Sequence, residues 1–424
     1  MANSQIIMDK SVPKGRLNGV VTPPCSKSYA QRALAVALLS EGESVLQNMD
    51  FCNDTLSAIR CIESLGATVS REDEHTIVVK GGLKPISDRL FVGESGLSAR
   101  LFTPIAALCS TPITIEGEGT LLYRPMDMMI NPLRALGVDV RDGGGRLPIE
   151  VCGPMKGGEI NVDGSVSSQF VTGLLLSLPL ALEDTVINVA GAVSKPYLDM
   201  TIDTAEHFGV AIEHNDYEQF YIAGGQSYQP TTYAVEGDWS AAAMLLVAGA
   251  VAGEVTVKNL STLSKQADVA ICDALVRAGA ELTSDSNSVT AVHRPLKAFE
   301  FDATNCPDLF PALATLAAAA EGESVIVGTR RLEHKESNRA EAIQNEFGKL
   351  GIKVDLTTDN VMKIRGGEIV GNVEVESYGD HRMAMTLAVA SLLTESEVTI
   401  RGAECVAKSY PNFFETLEMS IDAQ

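Results

Sequence analysis

The chain has 424 residues, of which 45% are hydrophobic, and a formal net charge of -22. This length exceeds that of an ordinary single domain, so we expect two domains, each with its own core. The acidic balance excludes a general polyanion-binding protein, because a nucleic-acid surface needs clustered positive charge. Any phosphate site must therefore be a local basic pocket.

The sequence shows no signal for export or membrane insertion. The residues after Met1 lack a basic segment followed by an apolar one, and the longest strongly apolar stretch, Ala241 to Gly253, is too short to cross a bilayer. The eight cysteines are scattered without a CxxC spacing or a His-rich partner cluster, which argues against disulfides and a zinc site. We expect a soluble cytoplasmic protein with reduced thiols, no metal and no cofactor.

An internal repeat organises the whole chain. Six times a polar loop opens a helix of small and aliphatic residues, and a short turn then leads into a β-branched strand. The six segments begin at Cys25, Ser95, Ser167, Asp238, Asp308 and Asp380, at spacings of 70, 72, 71, 70 and 72 residues. In the first five repeats a second helical pattern ends at a glycine and two short strands follow. The pattern predicts βαβαββ units.

Three units in each half of the chain predict the domain division. We expect a first domain over residues 19–234 and a second domain over residues 1–18 plus 235–424. The first helix of each unit is apolar on all sides and should be buried. Its N-terminus presents unpaired N–H groups and the positive end of the helix dipole, which favour an anion. If these N-termini converge within each domain, two facing domains would form an anion-binding cleft.

Four segments place charged side chains at helix starts. Two of them are Ser26-Lys27-Ser28 with Arg32, and Gly93-Glu94-Ser95-Gly96 with Arg100. The other two are Lys335-Glu336-Ser337-Asn338-Arg339 and Asp380-His381-Arg382. Taken singly, the first three are also typical of a capped helix or a solvent-exposed charged face. A cation at Arg382, beside the positive end of a dipole, is unfavourable unless an anion binds there, and such conflicts are typical of functional sites.

Together with other short motifs, these segments resemble the family of 5-enolpyruvylshikimate-3-phosphate synthases. The shared motifs, in chain order, are P-x-S-K-S-x-x-x-R, G-x-S-G-x-x-x-R, Y-R-P, S-S-Q-F, S-K-P-Y, P-D, K-E-S-x-R, D-H-R-M-A-M and A-K-S-Y-P. The resemblance covers essentially the whole chain. It implies a two-domain inside-out α/β barrel with three βαβαββ units in each domain, closing over two anionic substrates. It also implies an enolpyruvyl transferase of the shikimate pathway, which leads to chorismate and aromatic amino acids and is a target of glyphosate.

The resemblance assigns residues to two substrates, phosphoenolpyruvate and shikimate 3-phosphate. Lysines and planar arginines suit a small anion with a phosphate and a carboxylate, and hydroxyls and amides suit a sugar-like ring. The residues implied for phosphoenolpyruvate are Lys27, Gly96, Arg124, Gln169, Arg339, Arg382 and Lys408. Those implied for shikimate 3-phosphate are Lys27, Ser28, Arg32, Ser167, Ser168, Gln169, Ser194, Tyr197, Asp308 and Lys335.

Four residues are implied in catalysis: Asp308, Glu336, Lys27 and Lys408. Asp308 would accept the proton of the 5-hydroxyl as that oxygen attacks C2 of phosphoenolpyruvate. Glu336 would protonate C3, because addition needs a base and an acid on opposite partners. Reversal of the proton transfer at C3 would then expel phosphate from a tetrahedral intermediate. The surrounding cations would compensate developing charge without a metal.

The chain departs from the commonest family pattern at five positions: Cys25, Glu94, Leu97, Arg331 and Asn338. The departures at Leu97 and Arg331 leave a hydroxyl contact and a shikimate-side contact open. Substrate affinity and glyphosate sensitivity are left open with them. None of the five removes a residue assigned to chemistry.

Three alternatives remain. The sister family that transfers enolpyruvyl to UDP-N-acetylglucosamine carries a Cys five residues before the Arg of its A-R-P motif, whereas Gly119 stands there in this chain. A non-catalytic phosphate-ligand protein of the same fold would not need Asp308, Glu336 and all five cations. A nucleic-acid 3′-end enzyme on a related repeat conflicts with the net charge of -22. We therefore expect small-molecule substrates, no nucleic-acid or membrane partner, and a monomer.

Overall fold

The computed structural model describes residues 8–165, 167–333, 335–394 and 396–421. The chain forms two compact units. We call Cys25–Glu236 the first unit, and the residues up to Pro24 together with those from Gly237 the second unit. Each has its own hydrophobic core. The divisions fall a few residues after the domain boundaries predicted at 18/19 and 234/235.

Six related repeats follow one another along the chain. The first three contain β1 (Leu17–Val21), α1 (Lys27–Leu39), β2 (Gly42–Gln47), α2 (Asn53–Ser64), β3 (Thr68–Arg71), β4 (Ile77–Gly81), β5 (Arg89–Phe91), α3 (Gly96–Ala106), β6 (Ile113–Glu116), α4 (Ile130–Ala135), β7 (Asp139–Asp142), β8 (Ile149–Cys152), β9 (Gly158–Asp163), α5 (Gln169–Ser177), β10 (Thr185–Ala190), α6 (Lys195–His207), β11 (Glu213–Asn215) and β12 (Gln219–Ile222). The next three contain β13 (Thr232–Ala234), α7 (Trp239–Ala252), β14 (Gly253–Lys258), α8 (Ile271–Ala278), β15 (Glu281–Ser284), β16 (Ser288–Val292), β17 (Glu300–Asp302), α9 (Phe310–Ala318), β18 (Glu323–Val327), α10 (Arg339–Lys349), β19 (Lys353–Asp355), β20 (Val361–Arg365), β21 (Val373–Glu376), α11 (His381–Ser391), β22 (Val398–Arg401) and α12 (Phe413–Met419). The first five repeats follow the predicted βαβαββ order, and the sixth ends with α12.

The complete repeats build the same four-stranded sheet. In the second repeat β5 runs parallel to β6, and β8 runs antiparallel to both β6 and β7, which gives the order β5-β6-β8-β7. The strands β9 to β12 and β17 to β20 repeat this arrangement. The sixth repeat has the parallel pair of β21 and β22, and Lys10 forms an antiparallel bridge with Ile400 of β22.

The first strands of the first and fourth repeats are exchanged. β1 pairs in parallel with β14, with Leu17 opposite Gly253, and β13 pairs in parallel with β2, with Thr232 opposite Val45. Each unit is therefore closed by a strand that is remote in sequence from the sheet it completes. This pairing places β1 in the second unit, so that the division comes after β1 at Pro24.

The first helix of each repeat is buried in the core of its unit. In α1, α3, α7 and α11 nearly every residue is inaccessible to solvent, as the apolar composition predicts. Strands such as β6 and β18 alternate in burial and cover these helices with one face. Small residues permit close helix packing: a Cβ added to Gly173 of α5 would lie 2.4 Å from the carbonyl oxygen of Arg100 in α3. Helices inside and sheets outside give the inside-out α/β arrangement.

Three features bear on the classes of protein considered above. No helix in the described ranges is long and apolar enough to cross a membrane. All eight cysteines are free thiols. Among the side chains that the structure describes, no group of three or more His, Cys, Asp or Glu residues could hold a metal ion.

Candidate active site

The starts of α1 and α3 in the first unit are joined by side-chain hydrogen bonds. Ser26 caps α1 and Ser95 caps α3, each accepting a bond from a backbone N–H in the first turn. Gln31 of α1 accepts bonds from the hydroxyls of Ser95 at 3.1 Å and Ser98 at 2.8 Å. The positive ends of two helix dipoles therefore lie close together.

Arg100 of α3 connects the start of α5 and the loop after Arg124 to this pair. Its Nη1 donates to Oε1 of Gln169 at 3.0 Å, and its Nη2 donates to the carbonyl of Pro125 at 2.8 Å. Arg100 is buried. It therefore supports Gln169 and Arg124, two residues predicted to bind phosphoenolpyruvate.

The guanidinium of Arg124 packs on the backbone of Gly96 at the start of α3. A Cβ added to Gly96 would lie 2.4 Å from Nη1 and 2.8 Å from Cζ of Arg124, so glycine permits this close approach. Arg124 follows the 3₁₀ turn Gly119–Tyr123, and its Nε is buried with no hydrogen-bond partner in the described part of the chain. A cation beside a helix N-terminus is unfavourable without an anion. The arrangement is therefore typical of an anion site.

Lys27 and Arg32 both lie on α1 but have different surroundings. Lys27 Nζ is 3.0 Å from Oδ2 of Asp54, and its side chain is 16% exposed. Arg32 is buried and donates to the carbonyls of Ser28 at 2.8 Å and Tyr197 at 3.0 Å, and to two threonine hydroxyls. Burial lowers the pKa of Arg32 to about 10. Arg32 joins α1 to α6, and direct contact with a substrate would require it to exchange these bonds.

The hydroxyls predicted to bind shikimate 3-phosphate lie at the starts of α5 and α6. Ser167 accepts a bond of 3.2 Å from the backbone N–H of Gln169, and Ser168 is buried. Ser194 stands at the N-terminus of α6 with φ of 56°, a left-handed conformation that is uncommon outside glycine and is found at functional turns. Tyr197 follows in the first turn of α6 and is half-buried. Within the first unit, these groups occupy two helix starts.

Arg339 is the centre of an ion-pair cluster in the second unit. It begins α10 and donates from Nε to Asp380 at 2.7 Å, from Nη1 to Asp308 at 2.8 Å and from Nη2 to Glu336 at 2.9 Å. Burial alone would lower the pKa of Arg339, but these three carboxylates raise it above its ordinary value. Arg339 therefore stays charged and fixes the position of three acids.

Asp308 accepts hydrogen bonds from three cations. Its Oδ1 is 3.1 Å from Lys335 Nζ and 2.8 Å from Arg339 Nη1, and its Oδ2 is 3.1 Å from Arg382 Nη2. Burial favours the neutral acid, but Arg382, Lys335 and Arg339 hold the pKa of Asp308 well below its usual range. Burial also lowers the pKa of Lys335. Asp308 is therefore a carboxylate bound by cations that were predicted to bind substrates.

Glu336 lies between Arg339 and Lys408. Its Oε2 accepts the bond from Arg339, and its Oε1 is 3.7 Å from Nζ of Lys408 at the end of the 3₁₀ turn Ala403–Lys408. Both side chains are nearly buried, with 11% of Glu336 and 8% of Lys408 exposed. The predicted acid and the predicted base, Asp308, are thus joined by one guanidinium.

Asp380 caps α11 and orients two arginines. Its carboxylate accepts bonds from the backbone N–H of Arg382 at 3.0 Å, from Nε of Arg339 and from the hydroxyl of Ser337 at 3.1 Å. Asp380 is completely buried. Its negative charge offsets the conflict between the Arg382 cation and the positive end of the α11 dipole.

Three of the departures from the family pattern have structural roles. Asn338 caps α10 by accepting a bond from the backbone N–H of Glu341. Leu97 is buried in the hydrophobic core of the first unit. The carboxylate of Glu94 lies against Gly119, where a Cβ would collide with it.

Comparisons with known proteins identify the family. A family profile described as EPSP synthase (3-phosphoshikimate 1-carboxyvinyltransferase) matches residues 12–417. The 3-phosphoshikimate 1-carboxyvinyltransferase of Clostridium perfringens strain 13 is 37% identical over 95% of this chain and 96% of its own. That of Methanosarcina acetivorans is 39% identical over 97% of each chain. The chain belongs to the EPSP synthase family.

Solved structures agree with this assignment. An EPSP synthase from Acinetobacter baumannii matches with a TM-score of 0.83 and 26% identity, over 97% of this chain and 98% of that one. The enolpyruvyl transferase NikO from Streptomyces tendae matches with a TM-score of 0.78 over 98% of each chain, and at 18% identity it shows the shared fold alone. The predicted family and the predicted enolpyruvyl transferase fold are confirmed.

Three residues that support the site of this EPSP synthase family member had no role in the sequence-based prediction. Arg100 and Asp380 were noted at helix starts, inside the shared motifs, but were not assigned to binding or catalysis. Asp54 had no such signal, because it meets Lys27 only when α2 packs beside α1.

Proposed function

We propose that this member of the EPSP synthase family transfers the enolpyruvyl group of phosphoenolpyruvate to the 5-hydroxyl of shikimate 3-phosphate and releases inorganic phosphate. The observation that carries the proposal is the placement of Asp308 and Glu336 on the single guanidinium of Arg339, among further cations. Addition followed by elimination needs a base for the hydroxyl, an acid for the methylene carbon and positive charge for two anions. The second unit offers all three.

Residues of both units bind phosphoenolpyruvate in this proposal. Planar arginine forks suit its phosphate and carboxylate, and the bare backbone at the start of α3 adds N–H donors at a positive helix end. The residues are Lys27, Gly96, Arg124 and Gln169 in the first unit, and Arg339, Arg382 and Lys408 in the second.

The residues proposed to bind shikimate 3-phosphate are those with many hydroxyl groups. The proposed set is Lys27, Ser28, Arg32, Ser167, Ser168, Gln169, Ser194, Tyr197, Asp308 and Lys335. Serine hydroxyls and lysine donors suit the phosphate, and the amide, the phenol and Asp308 suit the ring hydroxyls. Because Arg32 is buried against Ser28 and Tyr197, its contribution is chiefly to hold those two residues in place.

The proposed reaction has two steps in which protons and electrons balance. In the addition, the 5-hydroxyl oxygen forms a bond to C2 while its proton passes to Asp308, and Glu336 gives a proton to C3. In the elimination, Glu336 takes a proton back from the new methyl group, the double bond re-forms, and the C2–O bond to phosphate breaks with its electron pair on the phosphate. The proton held by Asp308 then passes to the released phosphate. Lys27 and Lys408 compensate the negative charge that develops. These steps need no redox or group-carrying cofactor.

Substrate binding makes Asp308 a better base. Three cations hold its pKa well below the usual range in this structure, and a carboxylate of low pKa is a weak base. The anionic groups of the substrates compete with Asp308 for Arg339, Arg382 and Lys335. When these cations bind the substrates, they interact less with Asp308 and its pKa rises. Asp308 therefore becomes an effective base only when the site is occupied.

The experiment that tests the proposed function compares acceptors. Phosphate release is measured with phosphoenolpyruvate and either shikimate 3-phosphate or UDP-N-acetylglucosamine. Turnover that depends on shikimate 3-phosphate supports the proposal. Turnover with the nucleotide sugar alone would assign the protein to the sister activity, and no release with either would mean a non-catalytic binding protein.

We also propose that the protein is a cytoplasmic monomer with no nucleic-acid or membrane partner. The net charge of -22 supports the absence of a nucleic-acid partner, since an acidic surface repels polyanions. Light scattering after size-exclusion chromatography would test the monomer, and a mass twice that of the chain would overturn it.

A further inference from the structure

A buried acid outside the predicted set, Asp268, interacts electrostatically with Asp308 and Arg382. It belongs to the 3₁₀ turn Ala267–Ala270 and is 2% exposed. Its electrostatic neighbours are Asp308, Arg382 and Asp238. Those three residues stand at the starts of α9, α11 and α7 respectively, so Asp268 lies where three helices of the second unit begin.

The segment that carries Asp268 is fixed to the start of α7. Gln266 accepts a bond of 3.1 Å from the backbone N–H of Trp239 and donates one of 2.9 Å to the carbonyl of Gly237. The hydroxyl of Ser240 donates to Oδ2 of Asp268. Within the described residues, Oδ1 of Asp268 is buried and has no hydrogen-bond partner. A buried carboxyl oxygen without a donor favours the neutral acid.

The ionisation of Asp268 therefore falls near neutral pH. Burial is the main cause that raises its pKa to about 7, and the negative charge of Asp308 adds to the rise, while Arg382 and Ser240 act against it. Asp238 and the thiol of Cys306 are further titratable groups that interact with it. Burial and the adjoining carboxylates raise the pKa of Cys306, so that this thiol stays neutral.

We propose that Asp268 is a positioning residue of the active site: as a neutral side chain it leaves Arg382 to Asp308 and to the anionic substrate, and as a carboxylate it competes for Arg382. This inference rests on the proposed function, in which Arg382 binds phosphoenolpyruvate. Arg382 already interacts with the carboxylate of Asp308, 3.1 Å away, and electrostatically with Asp238. Another negative charge nearby reduces the attraction that Arg382 offers to an anion. Affinity for phosphoenolpyruvate therefore falls as Asp268 ionises.

The test is the pH dependence of KM for phosphoenolpyruvate at saturating shikimate 3-phosphate. Asp268→Asn keeps the size of the side chain and cannot ionise. Between about pH 6.5 and about pH 8.5, we expect KM to rise at least about fivefold more in the wild type than in Asp268→Asn, with kcat less affected. The matched control is Asp273→Asn on α8, an exposed residue paired with Arg277, which should follow the wild type. The same KM response in the wild type and in Asp268→Asn would overturn the inference.

Two further variants separate this inference from the proposed site. Arg382→Lys should raise KM for phosphoenolpyruvate, and an unchanged KM would overturn the proposed site together with the inference. A raised KM in Arg382→Lys with an unaltered pH response in Asp268→Asn would overturn the inference alone. If Asp268→Asn does not fold, Ser240→Ala replaces it. Loss of the donated bond raises the pKa of Asp268 further and moves the rise in KM to higher pH, and a rise that stays in place or moves to lower pH would overturn the inference.

Discussion

Arg339 donates a hydrogen bond of 2.8 Å from Nη1 to Oδ1 of Asp308, and the arginine is buried while 21% of the Asp308 side chain remains exposed. A fixed cation therefore orients the proposed base. Lys335, which binds the same oxygen, is 22% exposed and is better placed to move to a substrate phosphate. Arg339 therefore suits the orientation of Asp308, and Lys335 suits the binding of a substrate phosphate.

Glu336→Gln should reduce turnover far more than it weakens binding. The amide keeps the size of the side chain and loses the acid, and positioned proton transfer typically contributes about 10²–10⁴-fold. Steady-state kinetics of phosphate release measure both effects. Glu341→Gln, the same change at an exposed position in the first turn of α10, is the control. A loss in kcat below about tenfold would exclude Glu336 as the acid.

Asp308→Asn should abolish most turnover without weakening the binding of phosphoenolpyruvate. The variant loses the base, and it also releases Arg339, Arg382 and Lys335 from a competing carboxylate. We expect kcat to fall by about 10²–10⁴-fold while the Kd of phosphoenolpyruvate, measured by calorimetry, is unchanged or lower. Asp302→Asn at the exposed end of β17 serves as control. A much higher Kd would show that Asp308 does not compete with the substrate for these cations.

Gly96→Ala should weaken the binding of glyphosate more than that of phosphoenolpyruvate. The new methyl group would lie 2.4 Å from Arg124 Nη1, so the guanidinium must move and the anion site becomes shorter. A longer anion of similar charge is then penalised more strongly, and specificity is this difference in affinity.

Inhibition constants against phosphoenolpyruvate decide this prediction. Gly348→Ala in α10 is the control, since in the described part of the chain no atom beyond its chain neighbours and the backbone of its own helix lies within 4 Å of the added Cβ. An insensitive wild type, or an equal loss for both ligands, would mean that Gly96 does not line the site as proposed.

Asp380→Asn should destabilise the second unit. The carboxylate is completely buried and binds Arg339, Ser337 and the N-terminus of α11, and removing one partner of a buried ion pair typically costs about 3–5 kcal/mol. The free energy of unfolding is measured with urea. Asp359→Asn breaks the exposed pair with Arg330 and should change stability little. Similar losses in the two variants would contradict the role of Asp380.

The repeat architecture could be predicted because its signals are local. An apolar helix, a turn and a β-branched strand recur along the chain, and each signal lies within about twenty residues of sequence. The predicted domain division already assigned residues 1–18 to the second domain, but the strands that β1 and β13 pair with could not be read from such patterns. Strand pairing joins Leu17 to Gly253 and Thr232 to Val45, and these pairs form only when the chain has folded.

The residues that carry the motifs of the site could be predicted from the sequence, but the residues that hold them in place could not. Lys27, Arg339 and Arg382 stand out as cations at helix starts, where the dipole disfavours them. No sequence signal marks Asp268, because its environment is formed by Ser240 and Arg382, which belong to other helices. The buried environment of Arg32 likewise follows from the packing of α1 against α6.

The central claim is that enolpyruvyl transfer proceeds through protonation of C3, and a reaction in D₂O tests it most directly. Glu336 would deliver a deuteron to C3 and recover a proton or a deuteron from the methyl group, so the methylene of the product should contain deuterium. Mass spectrometry after partial conversion should find the label in the product, and in phosphoenolpyruvate only when shikimate 3-phosphate is present. Release of phosphate with an unlabelled product methylene would contradict the account.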